Sequence, residues 1–498
     1  MSTEIELKLT LSADALEAAR AHPILAAAET VAPRTLLDNT YFDTPELALR
    51  RERIGLRLRR IGKRTLQTVK CAASSLGGLS SRPEWEQPYR GKRFDFSRIE
   101  IAAVRERLES LREHFTPVFS TRFERQTLRV RPRPEASILI MLDHGGIEAA
   151  GRSMPLCELE LELESGTPAD LFEVAIALAH DLPLAPEDIS KAQRGYALFR
   201  NQTAQPQRAG ASSVKPGMRA REAFCAIGFD ALAMWQANDA YLHVAHNSEF
   251  LHQARIALRR LRSAFTLFAK VLPEDAKTWR ARTGAFAAEL GSVRDADVVH
   301  RSLLTPILAQ EPVSQDFHRL AQLVARARDA ARQAIAHRRR GCAMLELAAF
   351  LHALPAQEGG KPIEKLARHA LRRTRRQARQ CAQAAENGRT AKLHHLRIVL
   401  KRLRYGLEFF APLWPEQAIS VYAKSLAALQ DELGEINDAA MGDRLLAEIA
   451  QDDAGLGAAR AYTADWHAPR IAQLQQRAIQ HARELLWNAT PPWKQAER

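Results

Sequence analysis

Glu4-Ile-Glu-Leu-Lys-Leu9 near the start of the chain, and Glu158-Leu-Glu-Leu-Glu-Leu-Glu164 further on, alternate charged and apolar residues with period two. Successive side chains of a strand point to opposite faces, so each segment reads as a β-strand with one face of pure charge. Leu56 and Leu58, alternating with Arg57 and Arg59, read the same way. One such strand would turn its charges to water. Several are harder to place on an open surface, because adjacent like charges repel and acidic residues are depleted from ordinary strands. The pattern suggests a closed sheet with its polar face inward. Carboxylates there can hold a hard cation such as Mg2+ through oxygen, while Arg and Lys on other strands grip phosphate oxygens. Helical patterns around 101–114 and 169–180 lie between and after the strands, so residues 1–200 read as α+β with mainly antiparallel strands.

Residues 201–218, rich in Gln, Ala, Ser, Gly and Pro and without periodicity, read as a linker. From 219 to about 490 the pattern is helical throughout, and it is duplicated. Leu251-His-Gln-Ala-Arg-Ile-Ala-Leu-Arg-Arg-Leu-Arg262 returns as Leu393-His-His-Leu-Arg-Ile-Val-Leu-Lys-Arg-Leu-Arg404, at an offset of 394 − 252 = 142. Helical steps of three and four residues place His252, Arg255, Arg259 and Arg262 on one face, and His394, Arg397, Lys401 and Arg404 on its counterpart. An apolar stripe from Leu251 to Phe268 runs beside the first and one from Leu393 to Phe410 beside the second. Two related helical bundles with a polyanion partner follow. Glu289-Leu-Gly291 before Asp295 recurs as Glu432-Leu-Gly434 before Asp438, and a glycine cap followed by an N-capping Asp is the expected role. Arg368, Arg372, Arg375, Arg376 and Arg379 form a further basic stripe that either widens the binding surface or is simply solvated.

A chain of 498 residues exceeds one compact core, and two large domains fit its length. Its net charge of +14 favours anionic partners without choosing among nucleic acid, acidic membranes and phosphate polymers. The five cysteines lack Cys-x-x-Cys spacing, which argues against zinc fingers and a disulfide framework and points to a reduced cytoplasmic setting. No secretory leader or membrane span is expected. A Walker-type phosphate loop is absent, so any phosphate chemistry takes another form.

In order along the chain, Glu4-Ile-Glu-Leu-Lys8, Tyr41-Phe-Asp-Thr44, Leu56-Arg-Leu-Arg59, Thr68-Val-Lys70, Arg82-Pro-Glu-Trp-Glu86, Cys157-Glu-Leu-Glu-Leu-Glu162 and Ser190-Lys-Ala-Gln-Arg-Gly-Tyr196 resemble the CYTH family, the triphosphate tunnel metalloenzymes. The resemblance spans residues 1–200 and is nearest to bacterial inorganic triphosphatases in which a helical domain follows. It implies an eight-stranded antiparallel tunnel with flanking helices, dependence on Mg2+ or Mn2+, and hydrolysis of tripolyphosphate to pyrophosphate and phosphate by metal-assisted attack of water. Carried over residue by residue, it makes Glu4, Glu6, Lys8, Glu158 and Glu160 catalytic. It makes Glu4, Glu6, Asp143, Glu158, Glu160 and Glu162 metal ligands, and Lys8, Arg57, Arg59, Lys70, Arg125, Lys191 and Arg194 substrate contacts. Arg122 lies three residues before Arg125, so only one of the two can point inward, and Arg82 is left out as an equally good surface residue. The duplicated His-x-x-Arg-x-x-x-[Arg/Lys]-Arg-x-Arg pattern of residues 219–490 resembles the CHAD domain, a conserved-histidine helical domain associated with inorganic polyphosphate.

Nucleic acid is disfavoured as the ligand, because base stacking needs exposed aromatic rings and Phe265, Phe268, Phe409 and Phe410 fall on core positions. Two other functions stay open at this stage. One is a polyphosphate-binding or granule-docking protein without catalysis, and the other is a nucleotide triphosphatase or adenylate cyclase, since the CYTH family includes cyclases and thiamine-triphosphate hydrolases.

Overall fold

A computed structural model of the chain describes residues 2–71, 75–91, 93–242, 248–310, 314–336, 340–354, 360–451 and 453–495. Two compact units result, one of residues 1–205 with 339–353 and the other of residues 206–338 with 354–498.

The first unit is built on the strands β1 (Ser2–Thr10), β2 (Glu29–Asp43), β3 (Ile54–Ile61), β4 (Arg64–Cys71), β5 (Ser75–Leu76), β6 (Leu79–Pro88), β7 (Thr116–Arg133), β8 (Ala136–Ala149), β9 (Arg152–Ser165) and β10 (Ala185–Pro186). Their order is β10-β1-β9-β8-β7-β2-β3-β4-β6-β5, every pairing is antiparallel, and β1 also pairs β6. That extra pairing closes eight of the ten strands into a barrel, and the register puts Glu6 opposite Glu162 and Lys8 opposite Glu160. The apolar halves of the alternation face outward and are fully covered: Leu7, Leu9, Leu159 and Leu161 are all 0% exposed. The inward halves are the charges, as the alternation requires.

Among the described residues, helices α1 (Leu16–Ala21), α2 (Pro23–Ala26), α3 (Ala48–Arg51), α4 (Ala102–Leu111), α5 (Pro168–Asp181) and α6 (Lys191–Phe199) flank the barrel. Helix α5 covers β1 and β9, and α6 packs on β7, β8 and β9. A single buried carboxylate fastens two of these helices. Asp43 accepts from the backbone N–H of Thr44, Leu49 and Arg50 at 2.7, 2.8 and 2.9 Å, and from the Tyr196 hydroxyl at 2.8 Å. It therefore caps the start of α3 and ties α6 to the end of β2, which explains why Asp43 and Tyr196 both stand in the motifs quoted above.

The second unit is helical: α7 (Ala220–Asp239), α8 (Ser248–Leu267), α9 (Ala276–Val298), α10 (Thr305–Leu308) and α11 (Gln315–Ala336), then α13 (Ile363–Ala384), α14 (Thr390–Phe410), α15 (Glu416–Ile449), α16 (Ala454–Arg483) and α17 (Pro492–Gln495). The intervening α12 (Gly341–Ala353) packs on α5 and β10 and belongs to the first unit. Helices α7, α8, α9 and α11 form one bundle, and α13 to α16 form the other. Equivalent helices meet: α7 with α13, α8 with α14, α9 with α15 and α11 with α16. Phe268 and Phe410, equivalent by the offset of 142 (410 − 268), touch each other with ring centroids 5.7 Å apart. The duplication is thus an internal pseudo-two-fold.

Part of the stretch read as a linker is held in place. Asn238 accepts from the Gln207 N–H at 3.1 Å and donates to its carbonyl at 2.9 Å, Ser212 donates to the Phe409 carbonyl at 2.7 Å, and Val214 is buried. The Glu-Leu-Gly reading is corrected: Gly291 lies inside α9 and Gly434 inside α15, so neither ends a helix. Among the described residues there is no disulfide, and no helix is long and apolar enough to cross a membrane.

Replacing Asp43 with Ala leaves three backbone donors and a hydroxyl without their acceptor, and we expect a loss of about 2–4 kcal/mol in urea unfolding of the full chain. A loss below about 1 kcal/mol would show that the helices are held by packing alone.

Candidate functional site

Inside the barrel, charges from many strands meet in two groups. At one level, the Lys191 ammonium from α6 lies 2.5 Å from Glu158, 2.7 Å from Glu160 and 2.9 Å from Asp143. Arg125 grips Asp143 through two nitrogens at 2.7 and 2.6 Å and reaches Glu160 at 2.6 Å, and Arg194 pairs with Glu158. Oxygens of Asp143, Glu158 and Glu160 lie within 4.8 Å of one another. Burial acts to raise the Glu160 carboxyl, but Lys191 and Arg125 outweigh it and hold it well below the ordinary range.

At the second level, Glu4 receives Lys70 at 3.0 Å and Arg82 at 3.3 Å, while Arg82 also reaches Glu6 at 2.6 Å. Lys70 and Arg57 meet Glu84 at 2.6 and 3.6 Å. Glu162 is the outlier, since burial and the carboxylates of Glu4 and Glu6 push its pKa up to about 7 against the partial relief of Lys70. Burial likewise pushes the Lys8 ammonium down to about 8, opposed by Glu6 and Glu160. Arg59 falls to about 10 through burial and then through Arg57 and Arg125.

The structure brings together the sequence-derived tunnel residues, although it parts the six expected metal ligands into Asp143, Glu158 and Glu160 on one side and Glu4, Glu6 and Glu162 on the other. Arg125 is the inward residue of its pair, and Arg122 is exposed. Arg82, left out earlier, stands inside against Glu4 and Glu6; the signal was its place two residues before Glu84 and four before Glu86, on the same face of β6. Asn39 was also missed. It is buried, accepts from Arg59 Nε at 2.9 Å and donates to the Thr121 carbonyl at 3.2 Å, and a lone Asn in β2 gave no pattern to read.

The two basic stripes of the second unit converge. Arg255 lies 3.8 Å from Asp295, and its pseudo-equivalent Arg397 lies 3.9 Å from Asp438. Burial lowers Arg255 to about 10, with Arg259, Arg294 and Arg397 adding to the shift, so the stripes are close enough to repel. Lys401 is pushed down to about 6 by burial, then by Arg259 and Arg397. His252 falls to about 4 through burial, Arg294 and Arg259, so its imidazole is neutral at physiological pH. His394 is exposed and pairs with Asn437. Arg262 is exposed, and Arg404 pairs with Glu408 at 3.3 Å along its own helix.

Arg294 was missed, and so was the use of Gly291. A Cβ at Gly291 would stand 3.3 Å from Arg255 Nη1, which donates to the Leu290 carbonyl at 3.1 Å. The glycine opens the side of α9 to a guanidinium instead of ending the helix. The further stripe on α13 splits. Arg375 donates to the Ala489 carbonyl at 2.9 Å and Arg379 to the Leu486 carbonyl at 2.7 Å, so these two hold the C-terminal segment. The aromatic residues Phe265, Phe268, Phe409 and Phe410 are all buried.

With this geometry in view, comparison with known proteins gives two family matches, a CYTH domain over residues 2–196 and a CHAD domain over residues 226–447. An inorganic triphosphatase from Haemophilus influenzae is 33% identical over 167 residues, which are 33% of this chain and 47% of that protein. The chain thus spans about half the length of that curated relative. The crystal structure of the CHAD domain from the plant Ricinus communis is similar at 30% identity and a TM-score of 0.51, covering 58% of this chain and 99% of that one.

Lys191→Met would remove the one cation that Asp143, Glu158 and Glu160 share, leaving them to Arg125 and Arg194. We expect it to destabilise the first unit by roughly 3–5 kcal/mol at neutral pH. Because Glu160 has a depressed pKa, its stabilisation is present above the ordinary value of 4.5 and fades as pH falls below it, so the penalty should shrink in acid. A penalty that grows in acid, measured by urea unfolding across pH, would contradict this charge balance.

Proposed function

The chain is built from a CYTH domain followed by a CHAD domain, and from that premise we propose that it is a metal-dependent triphosphatase acting on inorganic tripolyphosphate, whose second domain binds inorganic polyphosphate. One observation carries the first half: a closed barrel whose interior pairs Glu4, Glu6, Glu84, Asp143, Glu158 and Glu160 with Lys70, Arg82, Arg125, Lys191 and Arg194. A substrate bringing several negative charges into so balanced an interior needs accompanying cations, which is the physical argument for a divalent metal.

Of the two carboxylate groups, Glu4, Glu6 and Glu162 suit a hard cation better. Asp143, Glu158 and Glu160 face three cations, Lys191, Arg125 and Arg194, whereas at Glu162 burial and the neighbouring Glu4 and Glu6, themselves paired with Lys70 and Arg82, push the pKa up to about 7. Mg2+ or Mn2+ held there would neutralise charge on the phosphate oxygens in the transition state. Lys8, Arg57 and Arg59 would then orient the phosphate chain, with Asn39 fixing the Arg59 guanidinium, and a carboxylate would orient the attacking water. Lys70, Arg125, Lys191 and Arg194 would meet the phosphates by releasing part of their present ion pairs. Hydrolysis would give pyrophosphate and phosphate.

For the second domain, the support is the crowding of Arg255, Arg259, Arg294, Arg397 and Lys401, which adds to burial in lowering the pKa values of Arg255 and Lys401. A polyanion relieves that repulsion. Burial of Phe265, Phe268, Phe409 and Phe410 withdraws these rings from base stacking, which favours a phosphate polymer over nucleic acid.

Glu4→Gln with Glu6→Gln should cut phosphate release from tripolyphosphate at least about 100-fold in the presence of Mg2+ or Mn2+. In the unaltered protein, metal affinity should rise with pH through about 7 as Glu162 loses its proton, and Glu162→Gln should flatten that rise. Full activity in the double variant would remove the catalytic assignment.

Changing Arg255, Arg259, Arg397 and Lys401 together to Ala should weaken polyphosphate binding at least about tenfold, with tripolyphosphate turnover much less affected. Binding to the unaltered chain should weaken as pH rises above about 6, because Lys401 must take up a proton to meet the polymer. Equal losses of binding and turnover would show that the two activities share one site.

A further inference from the structure

A separate set of metal-ligating side chains joins α12 to α5. His180 stands in the last turn of α5, and Cys342 and Glu346 stand one turn apart on the same face of α12. One donor atom from each of the three lies within 4.8 Å of the others. His180 is exposed, while Cys342 and Glu346 are half-buried.

The packing of α12 fixes this arrangement. A Cβ at Gly341 would stand 1.8 Å from the Leu184 carbonyl oxygen, so the helix begins at a contact that only glycine permits. Met344, Leu345, Leu347, Ala348 and Leu351 bury the inner face. At the far end, His352 lies 5.4 Å from the Phe172 ring and places Nε2 3.2 Å from the Leu76 carbonyl. Cys342 and Glu346 are thereby held beside the C-terminal end of α5, where the helix dipole favours positive charge.

We propose that His180, Cys342 and Glu346 bind a zinc-class transition-metal ion, with the fourth position taken by water, and that the ion fastens α12 to α5. An imidazole nitrogen, a thiolate sulfur and a carboxylate oxygen form a borderline-soft donor set that suits Zn2+ and disfavours Mg2+. Zinc bonds of about 2.0–2.3 Å would place tetrahedral donors roughly 3.3–3.7 Å apart, so side-chain rotation of about 1 Å completes the site. Cys342 must give up its proton to bind, so affinity rises with pH. The sulfur distinguishes this site from the all-oxygen carboxylates of the barrel.

The test uses the full chain, stripped of metal with a chelator and titrated with Co2+ as a zinc surrogate. We expect a thiolate-to-cobalt charge-transfer band that saturates at about one ion per chain and is displaced by Zn2+. Cys342→Ser should abolish the band, His180→Ala should weaken Co2+ binding at least tenfold, and Glu4→Gln with Glu6→Gln should leave the band in place. Zn2+ should also raise the melting temperature of the unaltered protein and not that of Cys342→Ser. Absence of the band in the unaltered chain, its survival in Cys342→Ser, or unchanged affinity in His180→Ala would each overturn the assignment. Should Cys342→Ser fail to fold, His180→Ala decides alone, because His180 is exposed and its loss leaves the inner face of α12 intact.

Discussion

The Lys191 ammonium, within 2.9 Å of three carboxylates from β8 and β9, is the contact on which the barrel interior depends. A closed sheet can turn charge inward only where each charge finds an opposite, since an unpaired buried ion costs several kcal/mol. The acidic strand β9 cannot supply that opposite itself, because every inward residue from Glu158 to Glu164 has the same sign. The opposites come from β7 as Arg125 and from α6 as Lys191 and Arg194. Helix α6 is placed in turn by the Asp43–Tyr196 hydrogen bond, so the interior charge balance reaches back to a single carboxylate at the end of β2.

The charge balance is not uniform along the barrel. Where Lys191 acts, the carboxylates are compensated, and Glu160 is held ionised far into acid. Around Glu162 compensation is incomplete, and a carboxyl remains partly protonated near neutral pH. Binding sites are commonly places where the protein leaves electrostatics unsatisfied, which is the ground on which the cation is proposed at the level of Glu162. The second unit shows the same feature with opposite sign, for burial, with Arg259 and Arg397 beside it, pushes the Lys401 ammonium down to about 6.

Much of this was legible in the sequence because period-two alternation survives folding unchanged. Once Leu7 and Leu161 must be covered, Glu6 and Glu160 have only one direction left, and the closed sheet follows from the number of such strands. The duplicated helices were legible for the same reason, their apolar stripes being fully buried. Single residues whose role lies in a partner distant along the chain were not legible. Arg82 shares a strand face with Glu84 and Glu86, but its partners Glu4 and Glu6 come only with the β1–β6 pairing that closes the barrel, and Asn39 has meaning only beside Arg59. Gly291 was misread because glycine both ends helices and admits neighbours, and only the Arg255 guanidinium against its backbone decides between the two. Nor does the helical periodicity of α12 reveal that it packs on α5 and β10.

The contact between Phe268 and Phe410 marks a local axis that exchanges α8 with α14. A receptor with such an axis offers nearly the same donors to a ligand running in either direction. On the proposed reading, a polymer whose two ends are alike, such as polyphosphate, would match that symmetry. The two halves depart from that symmetry at, among others, Arg294, where the other half has Asn437, and Arg259, where it has Lys401.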